Sequence, residues 1–122
     1  MASYPREDVA RTALVVDDEP LILDLIADML GDLGCEVITA AEGAEALSKL
    51  KGDDRIDLLI TDISMPGLNG YEVAEAAKRV RPGLHIILVS GRDTEGHGFP
   101  LLRKPFMQED LARVMSRTTG LC

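Results

Sequence analysis

The sequence predicts an α/β fold: a doubly wound, five-stranded parallel sheet, open at its edges and covered by helices on both faces. Two observations carry this prediction. Short apolar runs alternate with longer segments whose apolar residues recur at three- and four-residue steps, so strand and helix periods take turns along the chain. Four of the five short runs, all but 36–40, also end in polar residues, as buried strands do when they leave a sheet. Strands that alternate with helices imply right-handed crossovers between parallel neighbours.

The elements follow in order. Residues 12–16 are largely apolar, precede a run of acids and form the first strand. Residues 20–33 form a helix, with Ile22, Leu25, Ile26, Met29, Leu30 and Leu33 as its inward stripe. Pro20 suits a first helical turn and Gly34 suits a C-terminal stop. Residues 36–40 are the second strand. Residues 44–51 are a short helix that turns Leu47 and Leu50 inward. Residues 56–61 are the third strand, and turn-forming residues make 65–70 a loop. Asn69 with Glu72 three residues later has the spacing of a capping box and opens a helix to about Arg79. A Pro82-Gly83 turn leads to the fourth strand, 84–89. The fifth strand is short and ends at Arg103, and a last helix over 108–117 turns Leu111, Val114 and Met115 inward. Residues 1–10 read as a flexible leader, 11–118 as the folded domain and 119–122 as a C-terminal tail.

Composition excludes several function classes. The 122 residues suffice for one domain with a real core, and 46% apolar content excludes a disordered chain. A formal net charge of −8 argues against nucleic acid and anionic membranes, whose phosphates it repels. No run is long and uncharged enough for membrane insertion, and the N-terminus lacks the apolar core of a secretion signal. Two cysteines, Cys35 and Cys122, make no disulfide framework. A cytoplasmic location is therefore expected. His85 and His97 have no partners at metal-ligand spacing.

Ligands of a doubly wound sheet sit outside the carboxyl ends of its strands. Asp17 and Asp18 fall at the end of strand one, Asp62 at strand three, Ser90 at strand four and Lys104 at strand five. Three carboxylates in one crevice repel one another and raise each other's pKa. A hard divalent cation relieves the repulsion, and Mg2+ suits a few carboxylates plus waters. Lys104 adds a fixed positive charge, and Ser90 adds a hydroxyl that donates and accepts. A carboxylate nucleophile beside a cation, an ammonium and a hydroxyl can receive a phosphoryl group. Taken singly, each residue is commonplace in a turn or a cap. Their joint order and placement make them a site.

The blocks Val15-Val16-Asp17-Asp18-Glu19-Pro20, Thr61-Asp62-Ile63-Ser64-Met65-Pro66-Gly67-Leu68-Asn69-Gly70, Val89-Ser90-Gly91 and Lys104-Pro105-Phe106 carry a resemblance. Over roughly residues 11–118 the chain resembles two-component response-regulator receiver domains of the chemotaxis-regulator type. The resemblance implies the flavodoxin-like receiver fold, with strand order 2-1-3-4-5. It implies a phosphorelay role in bacterial signal transduction, in which Asp62 takes a phosphoryl group from a histidine kinase or a histidine phosphotransfer protein. Asp17 and Asp18 then match the acidic pair that binds Mg2+, joined by Asp62 and the backbone carbonyl of Ser64. Ser90 matches the switch hydroxyl and Lys104 the lysine that pairs with the phosphoryl group. Glu19 has a supporting role, and the Lys104-Pro105 bond is expected to be cis. Apart from the resemblance, Met29, Met65 and Met115 read as packing residues, Met65 with part of its surface open beside Asp62. Phosphorylation would alter binding to an unknown downstream protein or drain phosphate, and hydrolysis of the acyl phosphate would reset the domain.

Two departures from the family pattern stand out. Only eight residues, Gly91 to Gly98, separate Ser90 from a fifth strand that begins near Phe99. A parallel crossover usually takes about a dozen residues and contains a helix. Gly91, Gly96 and Gly98 are poor helix formers, so the family's fourth helix is expected to be missing or reduced to about one turn. Leu101, three residues before the lysine, stands where the family often has a Tyr or Phe that reports phosphorylation. Both departures fall on the family's common output surface. The short crossover resembles receivers attached to hybrid histidine kinases and some stand-alone bacterial regulators. A competing reading is a Mg2+-dependent phosphohydrolase with Asp62 as nucleophile, but Ser64 is a poor acid–base group and no insertion could form a cap. A third, an interaction module that has lost phosphorylation, conflicts with the intact set of site residues.

Overall fold

A computed structural model describes residues 11–52, 54–92 and 94–119. The expected leader, Cys122 and most of the expected tail lie outside the described residues. Five strands and four helices follow one another: β1 (Thr12–Val16), α1 (Pro20–Asp32), β2 (Glu36–Ala40), α2 (Gly43–Leu50), β3 (Leu58–Asp62), α3 (Gly70–Val80), β4 (His85–Ser90), β5 (Leu101–Arg103) and α4 (Gln108–Thr119). The strands form one parallel sheet in the order β2-β1-β3-β4-β5, as expected.

Side chains alternate between the sheet's two faces, and each face has its own core. Leu14, Val16, Leu59, Ile86 and Leu88 pack with Ala46 and Leu50 of α2 and Val73, Ala74 and Ala77 of α3. Ala13, Val15, Leu58, Ile60, Ile87 and Val89 pack with Ile26 and Leu30 of α1 and Leu111 and Met115 of α4. This double coverage explains why β1 and β3 are apolar without alternation.

Local chemistry sets the helix ends. Pro20 occupies the first turn of α1. Gly34 adopts φ +89°, and its amide donates to Gly31 O while Cys35 N donates to Leu30 O. That pair of bonds is a Schellman stop. Asn69 caps α3, with Glu72 N donating to Asn69 Oδ1 and Asn69 N donating to Glu72 Oε1.

Several expected boundaries shift. Strand three begins at Leu58 rather than Ile56, because Asp57 is engaged with Thr12: its amide donates to Thr12 O and its carboxylate accepts from Thr12 N. Strand four moves by one residue, α2 starts at Gly43, and α4 continues to Thr119, into the expected tail. Leu25 is 49% exposed, so the apolar stripe of α1 is wider than the face the sheet covers. Met65 packs in the α2–α3 core, as its reading as a packing residue expects, with little of it open beside Asp62. Strand five has three residues, which lengthens the crossover from β4 to ten residues, 91–100. No helix forms among its described residues, as the glycines predict. None of the described helices is long and apolar enough to cross a membrane.

Candidate functional site

The hydrogen-bond ladder carries the chain to one crevice. Val16 pairs with Thr61, Asp62 with Val89 and Ser90 with Arg103, so the ends of four strands lie side by side. Beyond those pairs, Asp17 N donates to Ala40 O, Ile63 N to Val89 O and Lys104 N to Ser90 O. The residues that leave the strands are therefore as well placed as those inside them.

Asp17, Asp18 and Asp62 each offer a carboxylate oxygen, and these oxygens lie within 4.8 Å of one another. Asp17 is buried, and its Oδ1 accepts from Glu19 N at 2.9 Å. That bond fixes the carboxylate so that Oδ2 faces Lys104 Nζ at 3.3 Å. The same ammonium lies 3.5 Å from Asp62 Oδ1. Asp18 is exposed at the rim. The structure thus brings together Asp17, Asp18, Asp62 and Lys104 of the expected site residues, and the Lys104-Pro105 bond is cis as expected.

The electrostatics show an unfinished balance. Burial pushes the Asp62 carboxyl up to about 6, and the charges of Asp17 and then Asp18 push in the same direction against Lys104. Burial alone would lower the Lys104 pKa, but Asp62 and Asp17 together raise it. Among the described residues, one ammonium holds two of the carboxylates, Asp17 and Asp62, and no ion pair to Asp18 is seen. A hard divalent cation fits this all-oxygen set, because it would supply the missing charge.

Ser90 and Ser64 are placed differently. Ser90 is buried at the end of β4, but its hydroxyl belongs to the crossover. Ser90 Oγ accepts from Arg92 N at 3.0 Å and from Thr94 Oγ1 at 3.2 Å. Ser64 is exposed on the loop after Asp62. Gly70 closes that loop: its amide donates to Ile63 O at 2.8 Å, and its α-carbon packs directly on the Asp62 backbone. Sequence reasoning missed Thr94, because nothing in an irregular, glycine-rich segment signals which hydroxyl will meet Ser90.

A family profile described as the response regulator receiver domain matches residues 13–115. The chain belongs to that family. It is 36% identical over 116 residues to the DNA-binding transcriptional regulator NtrC of Azospirillum brasilense, covering 88% of this chain and 24% of the relative. It is 32% identical over 130 residues to the sensor protein GacS of Pseudomonas syringae pv. syringae, covering 96% of this chain and 14% of that protein. The chain thus spans less than a quarter of either relative. Among solved structures, the response regulator TrrA of Thermotoga maritima, in complex with Mg2+ and BeF, superposes with a TM-score of 0.79 at 32% identity, covering 88% of this chain and 98% of that one. This receiver is a domain of two-component signalling, a family whose members in general do not act on metabolites. Its acidic pocket fits the family's phosphoacceptor site.

Proposed function

We propose that Asp62 is the phosphoacceptor of this receiver and that its phosphoryl donor is a phosphohistidine on a kinase or phosphotransfer protein. The observation that carries this reading is the Asp17–Lys104–Asp62 arrangement, with Asp18 at its rim. Near neutral pH a carboxyl with a pKa of about 6 is mostly ionised and can attack phosphorus. Its Oδ–P bond forms as the donor's N–P bond breaks, and the imidazole leaves with the electron pair and takes a proton. Lys104 balances charge on the phosphoryl oxygens as it now balances Asp62 and Asp17. Asp17, Asp18, Asp62 and the Ser64 carbonyl would hold Mg2+, which neutralises phosphoryl charge when bound. Water later cleaves the acyl phosphate and restores the carboxylate.

The donor's docking surface lies beside the same crevice. Leu21, Leu25 and Met107 are 82%, 49% and 66% exposed. A cavity of about 360 Å3 between α1 and the turn after β5 is lined by Ile22, Leu25, Ile26, Pro105, Phe106 and Lys104. An apolar patch of this kind that adjoins a reactive centre suits a protein partner rather than a small phosphate ester.

Labelled phosphoryl transfer from a small acyl phosphate tests the metal's part. Transfer should stop on chelation and return with Mg2+. Asp18→Asn should need at least about tenfold more Mg2+ for half-maximal labelling, given the charge dependence of such sites. Labelling that ignores both chelation and Asp18→Asn would contradict the reading.

A further inference from the structure

The crossover that replaces a helix is tied down at both ends, and one tie uses the hydroxyl of Ser90. We infer that Thr94 is a positioning residue that holds Ser90 in its resting place. Tyr71 and His97 clamp the segment that carries Thr94, so any movement of Ser90 away from Thr94 works against both ties. The inference rests on the phosphoacceptor reading of Asp62 given above.

Ten residues without a helix have little of their own to hold them. Here the ties are specific. Thr94 Oγ1 donates to Ser90 Oγ at 3.2 Å, and Arg103 Nη2 donates to Thr94 O at 3.3 Å. Tyr71 Oη donates to Glu95 O, and the Tyr71 ring stacks on His97 with centroids 3.9 Å apart and planes 12° apart. His97 and Gly98 have φ of +51° and +92°, and Phe99 N donates to Gly96 O at 2.9 Å. These residues make a tight turn of type I′, which presents the imidazole to the Tyr71 ring. A Cβ on Gly96 would lie 2.1 Å from Phe99 O, so the turn closes only with glycine there.

The two ties lead back to the same carboxylate. Ser90 follows Val89, the β4 partner of Asp62 in the ladder. Tyr71 follows Gly70, whose backbone packs on that of Asp62. A hydroxyl has one proton and few acceptor directions. Ser90 Oγ donates its proton to Arg92 O at 3.3 Å while it accepts from Arg92 N and Thr94 Oγ1, so it cannot keep this set and also turn its proton to a phosphoryl group on Asp62. The resting and phosphorylated arrangements therefore compete for Ser90, and whatever favours one opposes the other. Leu101 stands where the family often has an aromatic reporter; here the aromatic ring in contact with the crossover is Tyr71, which packs against the same core as Leu101.

Beryllofluoride with Mg2+, a phosphoryl mimic, provides the test on the full chain. Thr94→Val removes the hydroxyl that holds Ser90 and should bind the mimic about fivefold more tightly, the worth of one ordinary hydrogen bond. Thr94→Ser should match the wild type. Tyr71→Phe, which loses the bond to Glu95, should shift in the same direction as Thr94→Val. The chain has two tyrosines and no tryptophan, so Tyr4→Phe leaves Tyr71 as the sole emitter. Its emission should change as the mimic binds. Binding of equal strength in wild type and Thr94→Val, or weaker binding in the variant, would overturn the positioning role. Binding without a change in Tyr71 emission would overturn the clamp. A wild type that binds no mimic would instead overturn the phosphoacceptor reading, and this inference with it.

Discussion

In metal-free buffer at pH 7, Asp62→Asn should be more stable than the wild type by about 1–3 kcal/mol. The reason is the raised carboxyl. Burial and the neighbouring carboxylates push Asp62 up from 3.8 to about 6, so the folded chain pays for its charge whenever it is ionised. The sign follows from linkage. Above about pH 6 the folded wild type carries the full penalty. Between about 6 and 3.8 the penalty fades, because the folded state takes up its proton before the unfolded one does. Below about 3.8 both states are protonated and the advantage of the amide is gone. Urea unfolding at several pH values in chelator reads this directly. Saturating Mg2+ should narrow the gap, since it binds the folded wild type and stabilises it. A wild type as stable as Asp62→Asn at pH 7 without metal would contradict this balance of charges.

Gly70→Ala should lower stability by about 3 kcal/mol and disturb the acceptor loop as well. Alanine is the better helix former, so propensity alone predicts a small gain for a residue at the start of α3. Contact decides otherwise. A Cβ on Gly70 would lie 2.4 Å from Asp62 O and 2.6 Å from Ile63 Cα, and both are backbone atoms of the strand that carries the carboxylate. The helix must move away or the strand must bend. Gly31→Ala is the matched control, because nothing lies within 4 Å of its Cβ position on exposed α1. It should gain roughly 0.5–1 kcal/mol. Urea unfolding of the two variants should therefore give opposite signs. Equal stability of Gly70→Ala and wild type would show that the loop yields easily.

The sheet and the charged site were legible because their signals are local and repeat. Apolar runs mark β1 and β3, and polar residues at the ends of β1, β3, β4 and β5 mark the crevice. Asn69 and Glu72 announce the start of α3 three residues apart. Boundaries were less legible because hydrophobicity reports burial and not membership of a hydrogen-bond ladder. Ile56 is buried yet lies outside β3. Leu25 fits the stripe of α1 yet stands half in solvent beside the crevice. The ties of the crossover were not legible at all. Thr94 meets Ser90, and Tyr71 meets His97, only after β4, β5 and α3 are in place, and no period or spacing foretells such contacts.

The most direct measurement is intact mass after incubation with a small acyl phosphate and Mg2+. The wild type should gain one phosphoryl group, and Asp62→Asn, which is expected to fold, should gain none. A wild type that stays unmodified, or an Asp62→Asn variant that gains the group equally, would contradict the assignment of Asp62 as the acceptor.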